Sequence, residues 1–435
     1  MADKWRTVPA EKFCNSVRDG THDSPKPVDQ GRYLVTSRHI TGGQLDFANA
    51  YFISEKDFEE INKRSKVDRW DVLISMIGTV GEPYLIKEEP HFAIKNIGLF
   101  KTRGETEGKW LFYYLRSPYA KQLIRELSRG TTQQYIPLGA LREFPIPAPD
   151  DRDQMCSITH ILGTLDDKIE LNRKMNETLE EMVRVIFKSW FIDFDPVRAK
   201  VEGRWKKGQS LPGMPAEMFD LWPDSFVNSP LGPIPKGWKA GNLSEEIDMI
   251  GGGTPKTSIP EYWNGDIPWF SVVDTPNSSD IWVLDTEKHI SQAGIENSST
   301  KLLSKGTTII TARGTVGNLA LVARPMAMNQ SCYGLKGKDK RGDYYIYFKI
   351  YSEISDLQKS THGSVFDTII RETFEGIDTV IPPSPITNSF DLTIEPILSR
   401  ILNNCFESRT LAVIRDSLLS KLLSGEIRVK DVEKK

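Results

Sequence analysis

Two stretches of this chain carry apolar residues at helical spacing over more turns than a compact domain usually needs. In the first, Ile158, Leu162, Leu165, Ile169, Met175, Leu179, Met182 and Ile186 form a heptad-like stripe that predicts a helix from Asp150 to about Trp190. Asp150, Asp151 and Asp153 stand at its start, where carboxylates cap free amides and complement the helix dipole. Pro196 marks its stop. In the second, from about Thr393, the stripe is Ile394, Leu398, Ile401, Cys405, Leu411, Ile414, Leu418 and Leu422, ending before Gly425. Pro396 is accommodated there as a first-turn residue. A helix of about 40 residues is about 60 Å long and needs a partner along its length. The economical partner is the other helix, in an intramolecular coiled coil whose register Asn172 and Ser408 fix as polar positions. The alternative is two separate amphipathic helices, each packed on its own domain.

Between and before these helices the pattern changes to short β-branched runs broken by glycine. DVLISMIGTVGEPYLI and TTIITARGTVGNLALV each predict a strand, a GTVG turn and a second strand. Other segments repeat in the same order: Trp5 with Trp238, Thr21 in DGTHDSP with Thr254 in GGGTPKT, and Gly130 in SRGTTQQY with Gly363 in THGSVF. Each copy closes in prolines, REFPIPAP at 142–149 and GIDTVIPPSP at 376–385, before its long helix. The chain is two copies of one plan. The expected domains are 1–149, a helix over 150–196, a connector over 197–235, 236–385, a second helix over 386–428, and a charged tail over 429–435. The connector's many glycines and prolines predict an extended segment, although the aromatics of MFDLWPDSF call for a surface to dock on.

Composition narrows the function. Hydrophobic residues at 39% and charged residues at 26% describe an ordinary soluble protein, and no apolar run is long enough for a membrane span. MADKWRTVPAEKF lacks a signal peptide, so a cytoplasmic location is expected. Cys14, Cys156, Cys332 and Cys405 are scattered without metal-ligand spacing, and no metal site is expected. GRWKKGQS has the spacing of a phosphate loop but places Gln209 where the lysine must be, and GGGTPKT is not GxGxxG. With no hydrolase, metalloprotease or amino-methyltransferase motif, the chain reads as a non-enzyme without a cofactor of its own. The net charge of −3 excludes a uniformly basic coat, so contact with nucleic acid requires a local basic face or basic partners.

Candidate contacts follow from side-chain chemistry. The glycines of GTVG serve either a plain hairpin or a loop that brings Thr79, Thr315 and the adjoining Arg313 to a ligand. SRGTTQQY offers Thr131, Thr132, Gln133, Gln134 and Tyr135; glutamine amides pair with adenine and threonine methyls touch thymine, or the loop is only solvated. VTSRHI places Arg38 and His39 where WFSVVDT has Val273 and Asp274, a sign change that fits two domains reading different things; a surface salt bridge explains Arg38 equally. Lys256, Thr257, His362 and Ser364 complete the set. Helix packing is assigned to Leu165, Ile169, Asn172, Leu179, Trp190, Phe191, Ile401, Leu411 and Leu418. Trp190, Phe191 and Phe194 either cap the coiled coil or dock a partner.

ILGTLDDKIELNRKMNETLEEMVRVIFKSWFIDFDPVRAK at 161–200 resembles the central conserved region of type I restriction-modification specificity subunits. LWPDSFVNSPLGPIPKGW resembles that family's passage into its second recognition domain, LLSKLLSGEI at 418–427 is similar to its distal helix end, and DGTH, GGGTP and GTVG look like its target-recognition domains. The resemblance implies an α+β fold: two similar mixed α/β target-recognition domains joined by two long helices forming an antiparallel intramolecular coiled coil, with pseudo-twofold symmetry. It also implies a subunit that catalyses nothing itself and reads double-stranded DNA, each domain taking one half of a bipartite asymmetric site, with helix length setting the spacer. The implied partners are two methyltransferase subunits using S-adenosylmethionine and two motor-nuclease subunits using ATP and Mg2+. Two rival readings are a coiled-coil protein-binding adaptor and the detached recognition part of a fused restriction-methylation enzyme.

Overall fold

The structure, a computed structural model, describes residues 5–149, 151–276, 280–361, 368–427 and 429. The chain divides into two compact units, residues 1–169 with 409–435, and residues 170–408.

In the first unit the run Val72–Ser75 is buried at every position because it lies inside a four-stranded antiparallel sheet. The order is Ser16–Asp19, Ile97–Lys101, Val72–Ser75, Pro83–Leu85. A three-stranded sheet lies beside it, in which Arg32–Thr36 pairs antiparallel with Tyr51–Ile53 and parallel with Phe92–Lys95. Val35, Leu73, Ile94 and Leu99 share one apolar cluster. The helix Glu105–Arg116 buries Trp110 and Leu111 in another with Val72, Ile74 and Phe100. Arg6–Pro9 pairs with Pro145–Ala148 and closes the unit just before the long helix begins.

The second unit repeats this plan, with one strand more in its larger sheet. Its larger sheet runs Ile247–Gly251, Cys332–Gly337, Thr308–Thr311, Leu319–Val322 and adds Trp282–Val283, parallel to Leu319–Val322. Its smaller sheet pairs Trp263–Phe270 antiparallel with His289–Ile290 and parallel with Ala327–Met328. Lys239–Asn242 with Asp378–Ile381 makes the closing pair. Both GTVG segments are hairpin turns, between Val72–Ser75 and Pro83–Leu85 and between Thr308–Thr311 and Leu319–Val322.

The long helices are Arg152–Phe191 and Ser384–Leu423. Asp151 caps the first, accepting the backbone N–H of Asp153 at 2.9 Å, whereas Asp150 lies outside the described residues. The second begins well before Thr393, so Pro396 sits inside the helix rather than in its first turn. That proline removes the N–H that would bond the carbonyl of Leu392. Both residues are on the exposed face of the helix, where water can reach a freed carbonyl. Pro385 is the first-turn proline instead.

The helices pack against each other, as a coiled coil requires. In the second unit Val183, Phe187 and Trp190 share one core with Ile394, Leu398 and Ile401. In the first, Met155, Ile158 and Leu162 share another with Leu419, Leu422 and Leu423. Two stripe residues depart from expectation. Met182 is 49% exposed and Ile414 43%, because their neighbours Val183 and Arg415 hold the inward phase.

The expectation of an extended connector is also corrected. Residues 195–235 form a helix, Asp195–Val201, a 3-10 turn, Ala216–Leu221, and a hairpin of Phe226–Ser229 with Gly232–Pro235. Trp205, Met214 and Trp222 are buried in the same core as Trp190 and Trp238. Aromatic burial outweighs the flexibility that glycine and proline suggest. Among the described residues, no helix is long and apolar enough to cross a membrane.

Candidate nucleic-acid interface

The two GTVG turns are built alike. Gly78 and Gly81 take φ of 81° and 93°, and Gly314 and Gly317 take 82° and 91°, left-handed values that favour glycine. A hydroxyl at the preceding strand end ties each loop: Ser75 donates to the Thr79 carbonyl and accepts the Glu82 N–H at 2.9 Å. Thr311 donates to the Thr315 carbonyl and accepts the Asn318 N–H at 3.0 Å. The result leaves Thr79, Arg313 and Thr315 exposed at fixed positions.

In the first unit further loops join this turn. Ser37 donates to the Asn96 carbonyl at 2.6 Å and accepts the Met76 N–H at 3.1 Å, which brings Arg38 beside the start of the turn. Gly78 N–H donates to the Gln134 carbonyl at 3.2 Å, and Arg129 and Tyr135 exchange two backbone bonds of 2.8 and 2.9 Å. Thr131, Thr132, Gln133, Gln134 and Tyr135 therefore form an exposed loop on the same rim as Arg38 and Thr79.

His39 does not belong on that rim as a reader. It is 1% exposed, its Nδ1 accepts the Thr36 N–H at 3.1 Å, and its Nε2 lies 3.2 Å from Arg38 Nε. Burial, and then the Arg38 charge, push its pKa below the ordinary value. A neutral acceptor is what the turn requires.

The second unit gathers a comparable rim. The Thr254 hydroxyl donates to Gln330 Oε1, Gly253 N–H to the Met328 carbonyl at 3.0 Å, and Asn329 N–H to the Phe270 carbonyl at 2.8 Å. Ala312 N–H donates to the Ser331 carbonyl at 2.8 Å, joining Arg313 to the group. Lys256 and Thr257 extend from the Thr254 loop and are exposed. Where the first unit has Thr36 and His39, the second has Ser271 and Asp274. Asp274 Oδ2 accepts the Ser271 N–H at 2.8 Å and hydroxyl at 2.9 Å, while Oδ1 accepts the Glu287 N–H at 2.7 Å. His362 and Ser364 lie outside the described residues.

Sequence reasoning missed several rim residues. His22 sits with Nδ1 2.8 Å from Asn96 Oδ1, Arg129 flanks the glutamine loop, and Gln330 is exposed beside Thr254. Arg129 and His22 are inside the motifs SRGTTQQY and DGTHDSP and were findable there. Gln330 carries no local signal, since only pairing of Ala327–Met328 with Trp263–Phe270 brings it to the rim.

The helix-packing residues divide in the same way. Ile401 is buried, Leu179 and Leu418 are partly buried against the cores, and Leu165, Ile169 and Leu411 are half-buried. In the second unit Asn172 Nδ2 donates to Glu407 Oε2 at 2.8 Å and Ser408 Oγ at 3.3 Å, and Asn404 Nδ2 donates to Asn176 Oδ1 at 2.8 Å. This pairing order is antiparallel. In the first unit Arg415 Nη1 donates to Asp166 Oδ1 at 2.6 Å, and Tyr113 donates to Oδ2 at 2.8 Å. Trp190 and Phe191 are core: Trp190 meets Trp222 edge-on at 5.3 Å and Phe191 meets Tyr345 at 4.8 Å, which leaves neither free to dock a partner.

A duplicated fold with exposed loop rims of different chemistry defines a modular recognition protein. The family model described as the type I restriction modification DNA specificity domain matches residues 3–181 and again 235–414. The chain therefore belongs to the type I restriction-modification specificity subunits, the family that recognises DNA sequence. It is 28% identical over 344 residues to the type I restriction enzyme HindI specificity subunit of Haemophilus influenzae, covering 70% of this chain and 74% of that one. It is 25% identical over 328 residues to the MjaIX specificity subunit of Methanocaldococcus jannaschii, covering 74% and 70%. The crystal structure of a type I restriction-modification S subunit from M. genitalium superposes with a TM-score of 0.56 at 14% identity, over 97% of both chains, a likeness of fold.

Proposed function

We propose that each unit reads one half of a bipartite, asymmetric site on double-stranded DNA through its loop rim, and that the chain catalyses nothing itself. The observation that carries this is a repeated scaffold with unlike rims: Arg38, Gln133 and Gln134 in the first unit, Lys256, Arg313 and Val273 in the second. Variation in loops on a common frame is how specificity is built. Glutamine amides match adenine, arginine matches guanine, and lysine matches phosphate. Half-sites on one face of DNA lie about 34 to 36 Å apart, and a stiff helix pair sets that spacer. Two methyltransferase subunits, using S-adenosylmethionine to methylate adenine, bind the helices and units; two motor-nuclease subunits add ATP- and Mg2+-dependent translocation and cleavage. The domain limits follow the same plan, with recognition domains at 1–149 and 236–385.

Co-expression with a methyltransferase subunit, followed by mapping of methylated adenines across the host genome, tests this. The expected result is two short defined blocks with a fixed gap. An assembled, active complex that methylates without a motif gives the protein-binding adaptor reading its place. Exchanging Gln133 and Gln134 for Ala relaxes one block and leaves the other intact; unchanged specificity in both removes these residues from the interface.

A further inference from the structure

Val273 is the most exposed large apolar side chain among the described residues, at 75%. It is not a loose loop residue. Its neighbour Val272 packs against the core of the second unit. The turn is closed on both sides: Asp274 accepts three hydrogen bonds, and the Thr275 hydroxyl donates to the Val272 carbonyl at 2.8 Å. Asp274 N–H donates to the Ser271 carbonyl at 3.0 Å. The Ser271 and Thr275 hydroxyls and the Asp274 carboxylate are thus used internally, and the side chain that this corner offers outward is the isopropyl group of Val273. A single exposed apolar side chain is ordinary on a protein surface; what marks Val273 is its place, at the corner where the first unit presents Arg38.

The same corner of the first unit holds Arg38, also exposed and also capped from behind, there by His39. The corner is therefore a position at which the two units present opposite chemistry on one backbone frame. In the major groove the apolar group that a base edge presents is the 5-methyl of thymine. We infer that Val273 is a specificity-determining residue that recognises a thymine 5-methyl group in the half-site read by the second unit. This inference rests on the proposed reading that the unit contacts a half-site, and adds the base feature it selects.

The test uses the assembled complex with its methyltransferase subunits and duplexes carrying the motif found by methylation mapping. Each thymine of the motif is replaced in turn by deoxyuridine, which lacks only the methyl group. Binding of the parent complex weakens about fourfold at one thymine, the loss expected for one buried methyl. Val273→Ala removes that difference and binds both duplexes alike, and Val273→Thr, which keeps one methyl at the contact, retains part of it. Sequence-specific binding with no thymine sensitive to deoxyuridine in a Val273-dependent way overturns the inference and leaves the half-site reading standing. Loss of methyltransferase subunit from the Val273→Ala complex, equal with and without DNA, also overturns it and makes Val273 a protein contact. A complex without any sequence preference removes the half-site reading and this inference together.

Discussion

The Arg38 corner of the first unit and the Val273 corner of the second share a frame and differ in nearly everything placed on it. Both follow a strand that pairs parallel with its neighbour, and both are short turns whose fourth residue bonds back to the first. In one the cap is a buried neutral imidazole, and the outward group is a guanidinium. In the other the cap is a carboxylate that accepts three bonds, and the outward group is an isopropyl. The difference teaches that the cap and the outward side chain are separable: the fourth residue holds the turn, and the third is free to vary. A sequence comparison alone sees only a change of sign.

Removing the better-connected cap gives the largest effect. Asp274→Ala leaves the part-buried Ser271 N–H without its partner, at a cost of about 1–3 kcal/mol, while the exposed Glu287 N–H turns to water. The turn that carries Val273 then loosens. Methylation mapping of the variant complex is expected to show a degenerate block on one side of the gap and an unchanged block on the other. Equal degradation of both blocks breaks the idea that each corner serves its own half-site.

How much of this was legible in the sequence depends on whether the signal was local. The GTVG hairpins, the repeat and the two long helices were, because glycine turns, β-branched runs and helical periodicity act over a few residues. Asn172 and Ser408 were found as polar positions, and they bond each other. The phase of the stripe failed at Met182 and Ile414, since Val183 and Arg415 are inward only when the partner helix and Asp166 are in place. The connector failed for a like reason: Trp205 and Trp222 fold it through contacts far along the chain. His39 resembled a reader by residue type, and only the Thr36 N–H reveals it as a cap.

Arg38→Ala sharpens the comparison from the first unit's side. A guanidinium bidentate to guanine contributes about 1–3 kcal/mol of discrimination at one base pair. The expected outcome is loss of preference at one position of one block, with affinity for other sequences nearly unchanged. Affinity measured against salt separates this from phosphate contact, for which the variant binds every sequence more weakly and the salt slope falls by about 1. The second outcome keeps Arg38 on the interface and makes it a positioning contact, so that only the Val273 corner reads a base.

The smallest effect is a pH dependence confined to one half-site. His39 has a folded-state pKa below 6.5, first through burial and then through the Arg38 charge. As pH falls below 6.5 the unfolded chain binds a proton that the folded chain resists, so the unfolded state holds more protons and stability declines with acidification. The contribution is complete above that value and is lost below it. A protonated ring also cannot accept the Thr36 N–H, so the Arg38 corner loosens while the Val273 corner, which contains no histidine, does not. Duplexes altered in one block at a time, bound at about pH 7 and about pH 5.5, should show discrimination falling for the first unit's block alone. His39→Gln, which keeps an acceptor without a titrating ring, should flatten that difference; a pH response that survives the substitution assigns it to another group and leaves the cap without a titrating role.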